Sequence, residues 1–411
     1  MLQSLKSACY FTLFAVLLLG PFISFQIHGF DIHIVLKNTL WLGVIVFVST
    51  FLFAQFSKTP LGQILLKRLK PQSKKRIRIG KMPYHPLMLF SLGLLACALP
   101  FVISTYWLTV AILTLIYILL GLGLNIVVGF AGLLDLGYVA FYAVGAYGYA
   151  LGSEYLHLGF WSALPFSALL AALFGALLGF PVLKMHGDYL AIVTLGFGEI
   201  IRLILTNWGS FTGGPSGVEV PSPTFFGLEF TRVAHQQGIP FHEFFKIPYH
   251  ASYYYFFIYF VFFIVVCLML RFVTRLQQMP LGRAFEALRE DEIACRSLGI
   301  NHVTTKLAAF SLGAMVAGIG GVFFAAFEGF INPTSFTFIE SAFILTLVVL
   351  GGMGSIVGVV LAAIVLTLLP ELLRQFAEYR MLLFGMVMVL MMIWRPQGFM
   401  PITRQSIGPL R

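Results

Sequence analysis

Long uninterrupted apolar segments dominate the chain, and they predict membrane-spanning helices. About 20 apolar residues are enough for a helix to cross the hydrocarbon core of a bilayer. Residues 82–134 contain no Asp, Glu, Lys or Arg, which leaves room for two crossings. The segments are continuously apolar rather than alternating, which argues against a transmembrane β-barrel. Twelve segments are candidate helices: 8–27, 40–56, 87–105, 107–128, 130–152, 160–183, 189–207, 252–273, 307–327, 338–350, 353–370 and 379–394.

Two of these segments are expected to be irregular. The segment 338–350 is short, and the glycine-rich residues 351–354 separate it from the next segment. Residues 129–152 contain Asp135 and six glycines, so this segment is expected to be broken or re-entrant. We therefore predict an all-α polytopic membrane protein with about 10 to 12 transmembrane helices.

Composition agrees with this fold class, and charge placement adds an orientation. The chain has 411 residues, of which 59% are hydrophobic and only 10% charged, whereas soluble domains carry about 25% charged residues. The net charge is +10, and residues 57–86 contain nine Lys and Arg residues without any acid. Such a loop stays on the cytoplasmic side and attracts anionic membrane lipids. Its lack of interleaved aromatic residues argues against nucleic acid as a partner.

Counting crossings from this basic loop predicts where the other loops lie. The basic segment 274–306 and the C-terminal tail fall on the same side as the loop, and the segment 208–250 falls on the opposite side. We expect a multi-pass protein of the cell inner membrane with both termini in the cytoplasm. Residues 1–86 are predicted to form an N-terminal two-helix extension that carries the basic cytoplasmic loop, and residues 87–411 the main transmembrane domain.

The sequence offers no motif for catalysis or for a bound cofactor. Its four cysteines lack the CxxC spacing of a metal site or redox centre. The glycine-rich segment Gly213, Gly214 and Gly217 lacks the Gly-Lys-Ser/Thr ending of a phosphate-binding loop, and it is predicted to lie outside as a turn-rich loop. We predict that the chain is not an enzyme and that it binds neither a cofactor nor a metal.

Residues 279–300 form the most informative loop. Leu281, Phe285 and Leu288 are spaced so that one face of a short helix is apolar, while charged residues lie around the rest of the helix. Such a helix suits a groove on a partner protein. It equally suits the surface of the membrane, and the residues alone do not decide between the two.

Three charged residues within apolar segments are candidates for a role in a pathway. Glu199 and Arg202 are three residues apart and can meet on one helix face. They either line a pathway that opens and closes or form a structural ion pair near the outer interface. Asp135 either caps a broken helix or lies where a helix terminus offers backbone groups to a zwitterionic solute.

Several segments together resemble the branched-chain amino-acid ABC transporter permeases of the LivM type. The resemblance covers roughly residues 87–400. It is carried by RAFEALREDEIA at 283–294 with LGI at 298–300, GLGLNI at 121–126 with GFAG at 129–132, GDYLAIVTLGFGEIIR at 187–202, TGGPSG at 212–217 and WRPQG at 394–398.

The resemblance implies a permease subunit with the transmembrane bundle of ABC importers. With a second, LivH-like permease it would form the pathway for leucine, isoleucine and valine. Two separate ATP-binding subunits would use the ATP, and a periplasmic binding protein would deliver the solute. The permease loop of such importers docks into a cleft of the ATPase subunit. Here Glu292-Ile-Ala294 reaches Gly299 with one residue more than the general permease pattern has.

The resemblance and the residue patterns together give two sets of candidate site residues. The predicted ATPase-coupling residues are Arg283, Phe285, Glu286, Ala287, Leu288, Arg289, Glu292 and Gly299. The candidates for the pathway or its gating are Asp135, Glu199, Arg202, Gly213, Gly214 and Gly217. A permease for urea or short amides and a self-sufficient secondary transporter are the alternative functions.

Overall fold

The computed structural model describes residues 25–28, 31–34, 96–97, 99–100, 103–182, 185, 187–224, 228–230, 239–244, 250, 252–372, 385–386, 389 and 398–400. The chain divides into two compact units, Met1–Ile79 and Gly80–Arg411. This boundary lies slightly before the one predicted at residue 86.

In the first unit, the strands β1 (Phe25–His28) and β2 (Asp31–Ile34) pair antiparallel. The predicted helical segment 8–27 is therefore wrong at its end, where apolar and polar residues alternate with the period of a strand. The rest of that segment, the segment 40–56 and the basic loop 57–86 lie outside the described residues. The two-helix extension stays a prediction.

The second unit is a helical bundle, and all eight apolar segments that fall within its described part contain a helix. Its longer helices are α1 (Thr105–Leu124, continued by the π-helical turn Asn125–Phe130), α2 (Val139–Leu156), α3 (Phe160–Val182), α4 (Asp188–Asn207), α7 (Ser252–Gln278), α8 (Pro280–Glu290), α10 (His302–Glu328), α11 (Phe338–Gly351) and α12 (Ile356–Leu372).

Shorter elements fill the connections between these helices. They are α5 (Gly209–Thr212), β3 (Val218–Glu219), β4 (Leu228–Glu229), β5 (Ile239–Pro240), α6 (Phe241–Phe244), α9 (Glu292–Ser297) and β6 (Phe330–Ile331), with 3-10 turns at Gly214–Ser216 and Pro333–Ser335. Strand β3 pairs antiparallel with β6, and β4 pairs parallel with β5.

Six helical segments within the described residues are long and apolar enough to cross a membrane. They are Thr105–Phe130, Phe160–Pro181, Tyr189–Asn207, Ser252–Gln278, His302–Glu328 and Pro333–Gly351. Helix α12 is apolar but shorter. The candidate helices at 8–27, 40–56, 87–105 and 379–394 lie wholly or mostly outside the described part. The predicted all-α membrane fold is confirmed.

Helix α10 forms the centre of the bundle and packs against α1, α2 and α3. Glycines let these backbones approach closely. A Cβ atom at Gly145 of α2 would overlap the backbone of Gly318 in α10, and one at Gly321 would overlap the backbone at Tyr142. Because lipid removes the hydrophobic advantage of burying large side chains, close contact between small residues is a main source of helix association in membranes.

The described helices place the two long connecting segments at opposite ends of the bundle. At one end, the Arg289 side chain of α8 donates a hydrogen bond to the carbonyl of Gly129, and Phe399 pairs with the backbone of Leu350. At the other end, β3 pairs with β6. Residues 279–301 and 208–224 are therefore separated by the length of the helices, as the charge pattern predicts. Which end faces the cytoplasm stays a prediction.

Two helices are broken inside the bundle, as the glycine-rich segments predicted. After the π-helical turn the chain is irregular until Val139, and Gly137 packs against the α4 backbone at Thr194. Helix α11 has 14 residues and is therefore about 21 Å long, which is shorter than the hydrocarbon core. The backbone N–H of Val139 donates to Ser341 Oγ over 3.0 Å. The N-termini of α2 and α11 thus meet in the buried interior of the bundle.

Candidate functional site

Residues 279–300 form two helices rather than the single one expected. Pro280 occupies the first position of α8, and Gly299, with φ of 79°, follows α9. The break falls at Asp291, whose extended backbone ends α8. Its carboxylate accepts hydrogen bonds from Ile293 N over 2.7 Å and Ala294 N over 3.0 Å, so it caps α9.

The apolar face of α8 packs against the chain's own bundle. Phe285 and Leu288 are buried, whereas Leu281 is 37% exposed. Gly282 is also buried. It packs so closely against α7 that a Cβ atom there would overlap the backbone of Leu276. The sequence correctly grouped Phe285 and Leu288 on one face. We expected this face to meet a partner or the lipid surface. In the structure the chain's own bundle covers it.

The most exposed apolar side chains of this end lie in α9 and directly after it. Ile293 and Leu298 are 76% and 78% exposed, and Ala294 and Ser297 lie beside them. We call these four residues the α9 surface. Grouped exposed apolar side chains are typical of surfaces that contact another protein or the membrane. Sequence reasoning missed Ile293 and Leu298, because they are out of phase with the apolar positions of α8.

Charged residues fasten α9 to the bundle. Glu292 Oε2 lies 2.9 Å from Lys306 Nζ, and Glu292 Oε1 lies 2.6 Å from an Arg296 nitrogen. The Lys306 side chain is 2% exposed and the Arg296 side chain 48%. A buried charge needs a partner far more than an exposed one does. Glu292 therefore links α9 firmly to the first turns of α10.

Helix α8 is fastened to the end of α1. Arg289 donates to the carbonyl of Gly129 and packs against Gly132, whose φ is 71°. One turn earlier, Asn125 Oδ1 accepts a hydrogen bond from Gly354 N over 2.8 Å, which joins α1 to the break between α11 and α12. Arg289 and Asn125 therefore connect α8 to α1, and α1 to this break.

The remaining predicted coupling residues have smaller structural roles. Arg283 is exposed and Ala287 is half-buried. The Gln277 amide lies 3.4 Å from Glu286 Oε1, which is a long hydrogen bond. Cys295 is the buried residue of α9. Burial raises the pKa of its thiol, and the negative charges of Asp291 and Glu292 raise it further. This environment keeps the thiol protonated and unreactive.

Glu199 and Arg202 form the expected ion pair on α4. The Arg202 Nε and Nη2 atoms lie 2.9 and 2.8 Å from Glu199 Oε2, and both side chains are about one-third exposed. They share α4 with strongly exposed apolar residues, among them Ile200 and Leu203. The gating role and the structural role of this pair both stay predictions.

Asp135 lies in the irregular segment before α2 and is fully buried. Its Oδ1 atom accepts a hydrogen bond from Gly137 N over 2.9 Å, while Oδ2 has no hydrogen-bond partner among the described residues. This geometry fits a residue that shapes the break. No solute can reach the carboxylate in this conformation.

The glycines of the 213–217 segment hold a tight turn at the end opposite to α9. Gly213, Gly214 and Gly217 all have positive φ, between 54° and 72°, a conformation that favours glycine. A Cβ atom at Gly217 would overlap the backbone of Ile331 in β6. These glycines therefore serve the turn and its contact with the β3–β6 pair.

These features define a helical membrane protein with internally broken helices and an exposed apolar surface at one end. The chain belongs to the family described as branched-chain amino acid transport system / permease component, whose model matches residues 106–392. This confirms the resemblance drawn from the sequence motifs.

The relatives cover nearly the whole chain. It is 48% identical over 408 residues to the high-affinity branched-chain amino acid transport system permease protein LivM of Escherichia coli K12, covering 98% of this chain and 96% of the relative. The LivM protein of Salmonella typhimurium is 47% identical over 409 residues, with the same coverage. The permease protein LivH of Escherichia coli K12 is 30% identical over 134 residues, or 32% of this chain and 43% of the relative. No solved structure matches the chain.

Proposed function

We propose that the chain is one permease subunit of an ABC importer for leucine, isoleucine and valine. It forms the pathway with a second, LivH-like permease. The observation that carries the proposal is the 48% identity to a branched-chain amino acid permease over 98% of the chain. Two separate ATP-binding subunits hydrolyse ATP, and this chain itself binds no cofactor.

The α9 surface is the contact with an ATP-binding subunit. Ile293 and Leu298 offer exposed apolar side chains, which suit a cleft on a soluble partner. Phe285 and Leu288 do not contact the partner. They pack α8 onto the bundle and so hold the loop in place. In this proposal α9 contacts the ATP-binding subunit and α8 contacts the bundle, so one short loop connects the two.

Motion of α9 reaches the most buried helices of the bundle. The Glu292–Lys306 pair carries it to α10, and the bond from Arg289 to Gly129 carries it to α1. Those two helices are the most buried of the candidate spans. Because a packed bundle moves in rigid pieces rather than deforming continuously, closure of the ATP-binding subunits switches the pathway between its two openings.

The opposite end receives a periplasmic binding protein. A cavity of about 810 Å³ lies there between the α2–α3 connection and residues 218–224, with Glu154, His157 and Glu219 in its lining. In this arrangement α9 and both termini lie on the cytoplasmic side of the inner membrane, and the basic loop 57–86 contacts anionic lipids.

Solute competition tests the proposed substrate. The chain is reconstituted in liposomes with the second permease, both ATP-binding subunits and the binding protein, and uptake of labelled leucine is measured. Unlabelled isoleucine and valine are expected to compete, and urea is not. Uptake of labelled urea without uptake of leucine would overturn the proposed substrate class while leaving the importer assembly intact.

A further inference from the structure

Glu340 is an acidic residue within the candidate membrane span Pro333–Gly351. It lies in the first turn of α11 and is partly buried. Gly351, at the other end of that helix, is eleven positions further along the chain, which corresponds to about 16 Å along the axis. Glu340 therefore lies near the middle of this candidate span.

The carboxylate of Glu340 accepts a hydrogen bond from a tyrosine on another helix. Tyr117 Oη donates to Glu340 Oε2 over 3.1 Å, and Tyr117 lies near the middle of α1. This bond aligns the carboxylate without neutralising it, because a phenol donates a proton but carries no positive charge. The charge of Glu340 remains to be balanced.

No basic side chain balances that charge among the described residues. By contrast, Glu199 is paired with Arg202, and Glu292 with Lys306 and Arg296. Within the described part of the chain, the hydrogen bond to the Glu340 carboxylate comes from the Tyr117 hydroxyl. An ionised carboxylate at membrane depth is costly, and such groups face a protein interior or a water-filled cavity and serve a solute or ion.

The surroundings of Glu340 are aromatic. Phe343, one turn further along α11, packs its ring edge-to-face with Tyr117, with the ring centroids 5.0 Å apart. Val139 N–H donates a hydrogen bond to Ser341, the residue after Glu340. Tyr142 lies one turn after Val139, and the centroid of the Tyr142 ring is 5.2 Å from that of Phe336. The Glu340 carboxylate thus lies beside aromatic rings, with Glu328 as a second acid near Tyr142. This combination selects a small molecule with a cationic group and an apolar side chain.

We propose that Glu340 binds the α-ammonium group of the amino acid as it passes through the membrane, with Tyr117 orienting the carboxylate. The partly exposed rings of Tyr117 and Phe343 pack against the aliphatic side chain. The inference rests on the proposed function and adds a solute site within this chain. Urea and short amides carry no ammonium group, so this site discriminates against them.

The test uses the complete importer in liposomes, with the loaded binding protein outside and ATP inside. Leucine uptake and ATP hydrolysis stimulated by the binding protein are measured on the same preparation. Glu340→Gln is expected to lower uptake by about tenfold or more, because the neutral amide attracts an ammonium group far less strongly. ATP hydrolysis stays within about twofold of wild type, because the coupling elements are unchanged.

Three further variants make the result specific to the charge. Glu340→Asp keeps the charge and is expected to recover part of the uptake that Glu340→Gln loses. Tyr117→Phe removes only the hydroxyl and is expected to lower uptake by about threefold, the cost of a lost hydrogen bond of modest strength. The matched control is Glu243→Gln, which neutralises an exposed glutamate of α6 and leaves uptake unchanged.

Two outcomes overturn the site. One is leucine uptake by Glu340→Gln that stays within about twofold of wild type. The other is a parallel loss of uptake, ATP hydrolysis and subunit assembly in both Glu340→Gln and Tyr117→Phe, which identifies the pair as structural. If the wild-type importer itself fails to transport leucine, the proposed function fails, and that result is distinguishable from both.

Discussion

Lys306 and Glu292 form a buried ion pair that joins α9 to the first turns of α10, with 2.9 Å between Nζ and Oε2. Glu292 also binds Arg296, but that arginine is about half exposed. One acid therefore has two basic partners in very different environments. The two environments predict different costs for losing each partner.

Glu292→Ala is expected to destabilise the α9 end of the bundle strongly. Removing one member of a buried pair typically costs about 3–5 kcal/mol, because here the Lys306 ammonium, whose side chain is 2% exposed, stays buried without its partner. Arg296→Ala is the matched control, since an exposed pair contributes about 0–1 kcal/mol. Thermal unfolding of both variants in detergent measures the difference. Equal stability of the two variants would show that burial of Lys306 does not matter.

Changing the α9 surface is expected to prevent assembly without preventing insertion. Leu298→Asp places a charge where the apolar side chain is 78% exposed, so the permease folds but the cleft of the ATP-binding subunit rejects it. Copurification of the ATP-binding subunits with the membrane chains measures the effect.

The control for Leu298→Asp adds the same charge nearby. Thr304→Asp lies in the exposed first turn of α10, where an acidic residue suits the helix dipole. This variant should retain the ATP-binding subunits. Normal copurification with Leu298→Asp would place the docking surface elsewhere.

Arg289→Ala is expected to uncouple ATP hydrolysis from transport. The bond to the Gly129 carbonyl joins α8 to α1, so its loss leaves the α9 surface in place but weakens the link to the central helices. We expect the ATP-binding subunits to copurify and to hydrolyse ATP, while leucine moved per ATP falls by about tenfold. Arg289→Lys keeps the charge and should lose less. An unchanged ratio of leucine to ATP would show that coupling bypasses Arg289.

The close crossing of α2 and α10 predicts a strong position effect for glycine substitutions. A Cβ atom at Gly145 would overlap the Gly318 backbone, whereas one at Gly196 in α4 meets nothing within 4 Å. Gly145→Ala is expected to cost about 1–3 kcal/mol through overpacking. Gly196→Ala should be neutral or stabilising by up to about 1 kcal/mol, because alanine favours the helix. Thermal unfolding of the two variants separates these effects, and similar melting temperatures would contradict the described crossing.

The sequence predicted the apolar helices and the two breaks because both leave local signals. Apolar length marks a crossing, and the glycines around Asp135 and at residues 351–354 mark the places where a helix stops. Spacing also grouped Phe285 with Leu288. It did not reveal what covers their face, because a periodic pattern identifies a side of a helix and not its neighbour.

The α9 surface and the contact between Glu340 and Tyr117 escaped sequence reasoning for a related reason. Ile293 and Leu298 follow a break at Asp291 that changes the direction of the helix, so the periodicity of α8 does not extend to them. Glu340 is a single acid at the start of an apolar segment, which is common at a helix N-terminus. Its partner Tyr117 lies 223 residues away, and only the folded bundle brings the two together.

The most direct test of the central claim is leucine uptake by liposomes from which one component at a time is omitted. The complete set contains this chain, the second permease, the ATP-binding subunits, the binding protein and internal ATP. We predict uptake with the complete set and none when any component is left out, with or without an ion gradient. Uptake by this chain alone under an ion gradient would contradict the account and identify a self-sufficient transporter.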